Sequence, residues 1–179
     1  MKKSFPHWQI AGFVFTSILG TFLHFLFDLT GGSAVAAVFS AVNESIFEHM
    51  KLIYYPMLLF ALVEYRIFRT EIENFWCIKL AGILLALVLI PSVYYLYTGA
   101  LGISADWFNI TIFFIAAAVS YRLEVALYRR QSGCFLLQRL AFGLILLIGG
   151  VFTALTFYPP HIPLFEDPVT GTYGFQAPM

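Results

Sequence analysis

At 179 residues the chain has the length of one domain, yet 60% of it is hydrophobic and only 11% charged, far from the composition of soluble proteins. A water-exposed fold of this size has too much surface for so few charges, which excludes an ordinary soluble domain and leaves lipid as the solvent. The formal net charge of zero is uninformative in lipid, and the chain shows no basic patch of the kind nucleic acid requires, so no nucleic acid is expected as a partner.

Lys2 and Lys3 precede a long apolar stretch with no small-residue cleavage site. Residues 8–28 are therefore expected to form a first membrane helix, not a removable signal. Near its far end "HFLFD" sets His24 and Asp28 four residues apart, on one helical face. The next apolar piece is too short to cross, so 33–49 is expected to be an interfacial or re-entrant segment.

Then comes "NESIFEHMK", residues 43–51, which gathers scarce polar groups in nine residues. Ser45 and Glu48 have the spacing of a helix capping box. If the stretch is helical throughout, Glu44, Glu48 and Lys51 share one face and Ser45 and His49 the next. The uninterrupted apolar run that follows has 12 residues and covers about 18 Å of a hydrocarbon core about 30 Å thick. To span, it must borrow its flanks, over 50–68, with Arg66 and Arg69 snorkelling. That draws Glu48, His49 and Lys51 toward hydrocarbon depth, where ionisable groups persist when they pair, bind something or face a wet cavity.

Three further spans are expected at 76–98, 106–128 and 135–157, followed by a proline-rich tail at 158–179. Glu64–Arg66 and Arg122–Glu124 read as interfacial ion pairs. Gly149 and Gly150 would let a neighbouring helix come close. The fold class is therefore an all-α polytopic membrane helix bundle of five transmembrane helices plus one interfacial or re-entrant segment.

With five spans, nine of the ten lysines and arginines fall on one side and only Lys51 on the other. The positive-inside rule then puts the N-terminus inside and the C-terminus outside. Cys77 and Cys134 fall at cytoplasmic ends, where thiols stay reduced, so no disulfide is expected.

This orientation gathers histidines and carboxylates in one outer layer: His24, Asp28, Glu44, Glu48, His49, Asp106, His161, Glu166 and Asp167. A solvated surface wants charge but has no special need of imidazole. Imidazole with carboxylate is the ligand set of zinc and other borderline metals, and of acid–base chemistry near neutral pH. One expectation is a metal-dependent hydrolase acting on a lipid or lipid-linked substrate. His24, Asp28, His49 and His161 would hold zinc or another divalent metal, with Glu44 or Glu48 as general base. Asn43, Ser45, Lys51, Asp106 and Asp167 would line the cavity and the tail would form its lid. The same cavity also suits a binding or transport protein, or a transporter subunit, for a cation or small polar solute. A structural or regulatory membrane subunit is the third reading. Membrane lipid is the expected partner, and a homo-oligomer or a membrane partner subunit is compatible with all three.

Two motifs carry a resemblance. The Asn-Glu-Ser-x-x-Glu-His-x-Lys core at 43–51, with His24 upstream and Pro-Pro-x-Ile-Pro-Leu-Phe-x-Asp-Pro-x-Thr-Gly at 159–171, resembles a family of small bacterial integral membrane proteins of unknown function. The resemblance covers nearly the whole chain and implies a bacterial cytoplasmic (plasma) membrane protein. It implies no activity, and it makes the tail part of one device with the core motif.

The charge distribution generates a direct test. A cysteine placed at Gly171 should react with a membrane-impermeant reagent in intact cells, and one placed at Glu73 should not. Labelling at Glu73 would reverse the inside–outside assignment.

Overall fold

The computed structural model describes residues 4–130 and 137–176; Lys2, Lys3, Cys134 and the first two residues expected in the last span lie outside them. The chain forms α1 (Phe5–Leu29), α2 (Ala34–Phe39), α3 (Ile46–Phe68), α4 (Phe75–Leu101), α5 (Asp106–Arg129) and α6 (Gln138–Phe157). All but α2 are long and apolar enough to cross a membrane. Among the described residues there is no strand, only an isolated bridge between Glu166 and Tyr173 in the tail.

α1 packs on α3 and α5, and α4 packs on the same two, so these four helices close a ring. α6 lies outside the ring against α4 and α3, with α2 beside it. The apolar window of α3 is 72% buried, against 22–50% for the other four long helices. This explains why the span with the least continuous apolar sequence is a span at all: protein, not lipid, surrounds most of it. α3 starts at Ile46, within the segment expected to be interfacial, because Ser45 caps it there. The Ser45 backbone is extended and its hydroxyl accepts from Glu48 N at 3.3 Å.

One end of the bundle is aromatic. Phe5 meets Phe68 and Tyr128 at ring separations of 5.5 and 4.7 Å, and Trp76 meets Tyr65 and Phe142 at 4.9 and 4.4 Å. Exposed Arg66, Arg69, Arg122, Arg129, Arg130 and Arg139 occur in the helix turns at that end. The opposite end carries the 43–51 motif and the tail, which folds back onto the bundle. Phe47 N donates to Leu164 O at 3.0 Å, Phe175 N to Thr156 O at 2.8 Å, and Phe165 is buried against Phe47.

Three expectations are corrected here. Glu64 and Glu124 do not pair with the arginines two residues away. Both are buried and pair with Lys79, which is itself buried and not a surface charge. An i,i+2 spacing puts side chains on different faces of a helix, so the arginines point outward while the glutamates point in. Cys77 is disulfide-bonded, not a free thiol. The starts of α4 and α6 are held together, with Trp76 N donating to Gln138 Oε1 at 2.8 Å and Gln138 Nε2 to Cys77 Sγ at 3.2 Å. Cys77 thus lies against the first turn of α6. Of the glycine pair, only Gly149 makes a close approach: a Cβ there would lie 2.7 Å from the Tyr54 hydroxyl, whereas one at Gly150 meets nothing within 4 Å.

Tyr54 donates from that hydroxyl to Ile145 O at 2.6 Å, so Gly149 is where α6 seats on α3. Gly149→Ala should destabilise the bundle by about 1–3 kcal/mol through overpacking, read as an earlier thermal transition in detergent. Gly150→Ala should leave that transition unchanged, and equal effects would remove the contact from the account.

Candidate metal and binding site

The first turn of α3 divides the polar motif between two neighbours. Successive residues point about 100° apart around a helix, so Glu48 and His49 cannot face the same partner. Glu48 and Lys51 face α6 and α2; His49 faces α1.

On the α6 side, Lys51 Nζ lies 2.5 Å from Glu48 Oε2 and donates to Thr156 Oγ1 at 2.9 Å and to Ala37 O at 2.7 Å. An ammonium has three donors, and all three are used. Thr156 Oγ1 donates to Glu48 Oε1 at 3.0 Å, and Val42 N donates to Oε2 at 3.1 Å. Both charged groups are fully buried. This is a neutral, fully satisfied ion pair, and its carboxylate is not turned toward the histidines.

On the α1 side, His49 Nε2 lies 3.2 Å from His24 Nε2. The Ser45 carbonyl sits 2.8 Å from His49 Nδ1 and accepts the proton there; Nε2 faces His24 and Glu44, as a lone pair when the ring is neutral and as a donor when it is protonated. The group that fixes the His49 ring is thus the backbone of Ser45, one turn earlier, while the Ser45 hydroxyl caps the helix. Close helix approach brings the rings together. A Cβ at Gly20, one turn before His24, would lie 2.6 Å from the carbonyl of Leu52, which is one turn beyond His49.

Glu44 completes the group. Its Oε2 lies 3.4 Å from His49 Nε2 and 3.8 Å from His24 Nε2. Glu44 precedes the cap, so it does not share the helical face of Glu48 and Lys51. Asn43 Oδ1 accepts from Ser45 N at 3.0 Å, tightening the turn that swings Glu44 toward the rings. The hydrogen bond and charge of His49 hold the Glu44 carboxyl below the usual carboxylate range, so it is ionised at neutral pH.

His24, Glu44 and His49 each offer one ligand atom, all within 4.8 Å of one another. Two ligands about 2.0–2.1 Å from a tetrahedral ion are themselves roughly 3.3–3.4 Å apart. The observed separations bracket that figure. Two imidazoles and one carboxylate, with a position left for water, is a catalytic zinc set, and it also suits ferrous iron.

The three residues form part of the wall of a cavity of about 510 Å³, within the usual range for ligand pockets. The rest is largely apolar, from Phe25, Leu52, Ile90, Ile112 and Phe113, with Asp106 and Asn109 as a second polar patch. Phe25 and Ile110, both more than half exposed, sit at its rim on the outer surface of α1 and α5. Pro168 and Val169 of the tail line it too.

The remaining candidates fall elsewhere. Asp28 is exposed at the end of α1. His161 is exposed and stacks on Tyr173 at 4.6 Å. Asp167 is buried as a turn cap, its carboxylate accepting from Val169 N at 2.8 Å and from the Thr170 hydroxyl at 2.9 Å. Asn43 reaches the tail through Nδ2, 3.4 Å from Gly174 O. Thr156, Pro168 and Val169 had no signal in the sequence, since a threonine in a membrane helix and a proline in a tail are ordinary.

The division of roles around the first turn of α3 is testable. Glu48→Ala strands a buried Lys51 and should cost about 3–5 kcal/mol, seen as loss of folded protein in detergent. His49→Ala should express and fold, since it removes no core hydrophobe and no paired charge. Stable, folded Glu48→Ala protein would return Glu48 to the list of reactive groups.

No curated protein and no solved structure matches the chain. Residues 1–175 match a family of unknown function, DUF6512, and the chain belongs to that family.

Proposed function

We propose that this protein is a metal-dependent hydrolase of a lipid or lipid-linked substrate, with His24, His49 and Glu44 as metal ligands. The observation that carries the reading is the His–His–Glu group in the wall of a largely apolar cavity whose rim reaches exposed apolar residues of α1 and α5, two helices apolar enough to cross a membrane. A small polar solute or a free cation has no use for an apolar pocket of that size; an acyl or isoprenoid chain does. The headgroup end of such a substrate would lie against the histidines and the Asp106–Asn109 patch.

In this reading His24, His49 and Glu44 would hold the ion, which would lower the pKa of a bound water and polarise a carbonyl. Glu44 passes from the general-base role to that of a ligand, and Glu48 to the structural pair with Lys51. Asp106 is the carboxylate left in the wall to take the proton from the attacking water. Water adds to the carbonyl carbon, the bond to the leaving oxygen breaks, and the proton returns to that oxygen.

The proposed orientation, N-terminus inside and this site outside, rests on the arginines at the opposite end. It stands against the bonded Cys77, which a reducing cytoplasm would open.

Elemental analysis of protein purified without chelator should find one zinc or iron per chain. His24→Ala and His49→Ala should each lose it while keeping wild-type expression, and should abolish release of fatty acid or alcohol from a lipid ester. Full metal content in both variants would end the metal reading. Metal that responds to the substitutions with no turnover of any lipid would leave a binding protein.

A further inference from the structure

We propose that Glu64, Lys79 and Glu124 form a proton-binding site inside the bundle, at the end away from the histidines, with one proton held at Glu124 Oε1. The argument begins with charge balance. Lys79 lies between Glu64 Oε2 and Glu124 Oε2, the latter at 2.5 Å, and donates to Gln9 Oε1 at 3.2 Å. Its Nζ also lies 5.3–5.8 Å from the ring centres of Phe5, Phe75 and Tyr121, surroundings that favour a cation. Two carboxylates therefore share one ammonium.

No other cation lies within ion-pair reach of either glutamate among the described residues. The groups facing the site are Gln9 from α1, Glu64 from α3, Lys79 from α4, and Ser120, Tyr121 and Glu124 from α5. Tyr121 OH is engaged with Thr16 Oγ1 at 2.8 Å. With both acids ionised, the site would hold a net negative charge in a low-dielectric interior, a state in which one of two carboxyls sharing a site keeps its proton.

A second observation locates that proton. Glu64 Oε1 accepts from Gln9 Nε2 at 2.5 Å; its Oε2 has no hydrogen-bond partner among the described residues but lies in ion-pair contact with the Lys79 ammonium, which leaves no place for a proton there. Glu124 is fully buried, and its Oε1 has no hydrogen-bond partner among the described residues. Ser120, one turn earlier on the same helix, also has a buried hydroxyl without a partner there. Gly82 opposite leaves the space Oε1 occupies, since a Cβ there would run into it.

The Glu48–Lys51 pair serves as an internal comparison. It needs only one carboxylate per lysine, and every polar atom in it is satisfied. A purely structural role at Lys79 would require no second glutamate. The α1, α3, α4 and α5 helices that carry this site also wall the histidine cavity at their other ends, so both sites share one frame.

Infrared spectroscopy of the full chain in lipid nanodiscs at neutral pH reads the site directly. The wild type should show the carbonyl band of a protonated carboxylic acid. Glu124→Gln and Glu64→Gln should each abolish it, because either leaves one carboxylate for one ammonium. Carbon-13 NMR of glutamate side-chain carboxyls in the unsubstituted protein needs no variant to fold and should find one neutral glutamate. A wild type with no neutral glutamate, or an acid band that survives both substitutions, would overturn the proposal.

Discussion

The fold and the candidate site both depend on the buried ion pair between Glu48 and Lys51. Charges inside a membrane bundle are costly to desolvate, and this pair persists because α2 and α6 bring it an exact complement of partners. Lys51 uses its three protons on Glu48, Thr156 and Ala37, and Glu48 collects two further donors. The pair therefore fixes both the depth and the rotation of the first turn of α3. Once Glu48 is committed to α6, the 100° step of the helix leaves His49 facing α1. Gly20 then lets α1 come close enough for His24 to meet it.

What could be read from the sequence follows the same division. Five long apolar helices and the meeting of His24 with His49 were legible, because depth in a bilayer follows from counting residues from the end of an apolar run. The place of Glu44 beside the two rings was not. A helical projection carried through residues 43–51 assigns Glu44 to the Glu48 face, whereas the helix begins only after Ser45. Asp28 was drawn in by its i,i+4 spacing from His24 and His161 by its depth in the outer layer, and neither spacing nor depth gives the direction in which an exposed side chain points. The Lys79 site was hidden for a different reason. Its members come from four helices, with Gln9 and Glu64 55 residues apart, so nearby arginines were the only partners a linear reading could offer.

The two buried lysines also show how differently the ends of one bundle are built. Near the histidines, charge is balanced one to one, and the pair of Glu48 and Lys51 is turned away from the cavity that His24, His49 and Glu44 line. At the aromatic end, balance is two to one, and aromatic rings and glutamine share the work of holding the ammonium.

The tail and the core motif are both tied to one residue of α6. The Thr156 hydroxyl serves Glu48 and Lys51, and its carbonyl accepts from Phe175 N at 2.8 Å. Gly174 makes that contact possible: it has a φ of +57°, and a Cβ there would lie 2.5 Å from the same carbonyl. Phe47 N, on the turn between Glu44 and His49, holds the other side of the tail through Leu164 O. The segment between these two anchors carries Asp167, whose buried carboxylate closes the turn that follows it, and the adjoining Pro168 and Val169 face the cavity. The tail is therefore registered on the same turn of α3 that aims His49. A substitution that shifts Thr156 would move the ion pair and the cavity wall together, although it touches neither histidine.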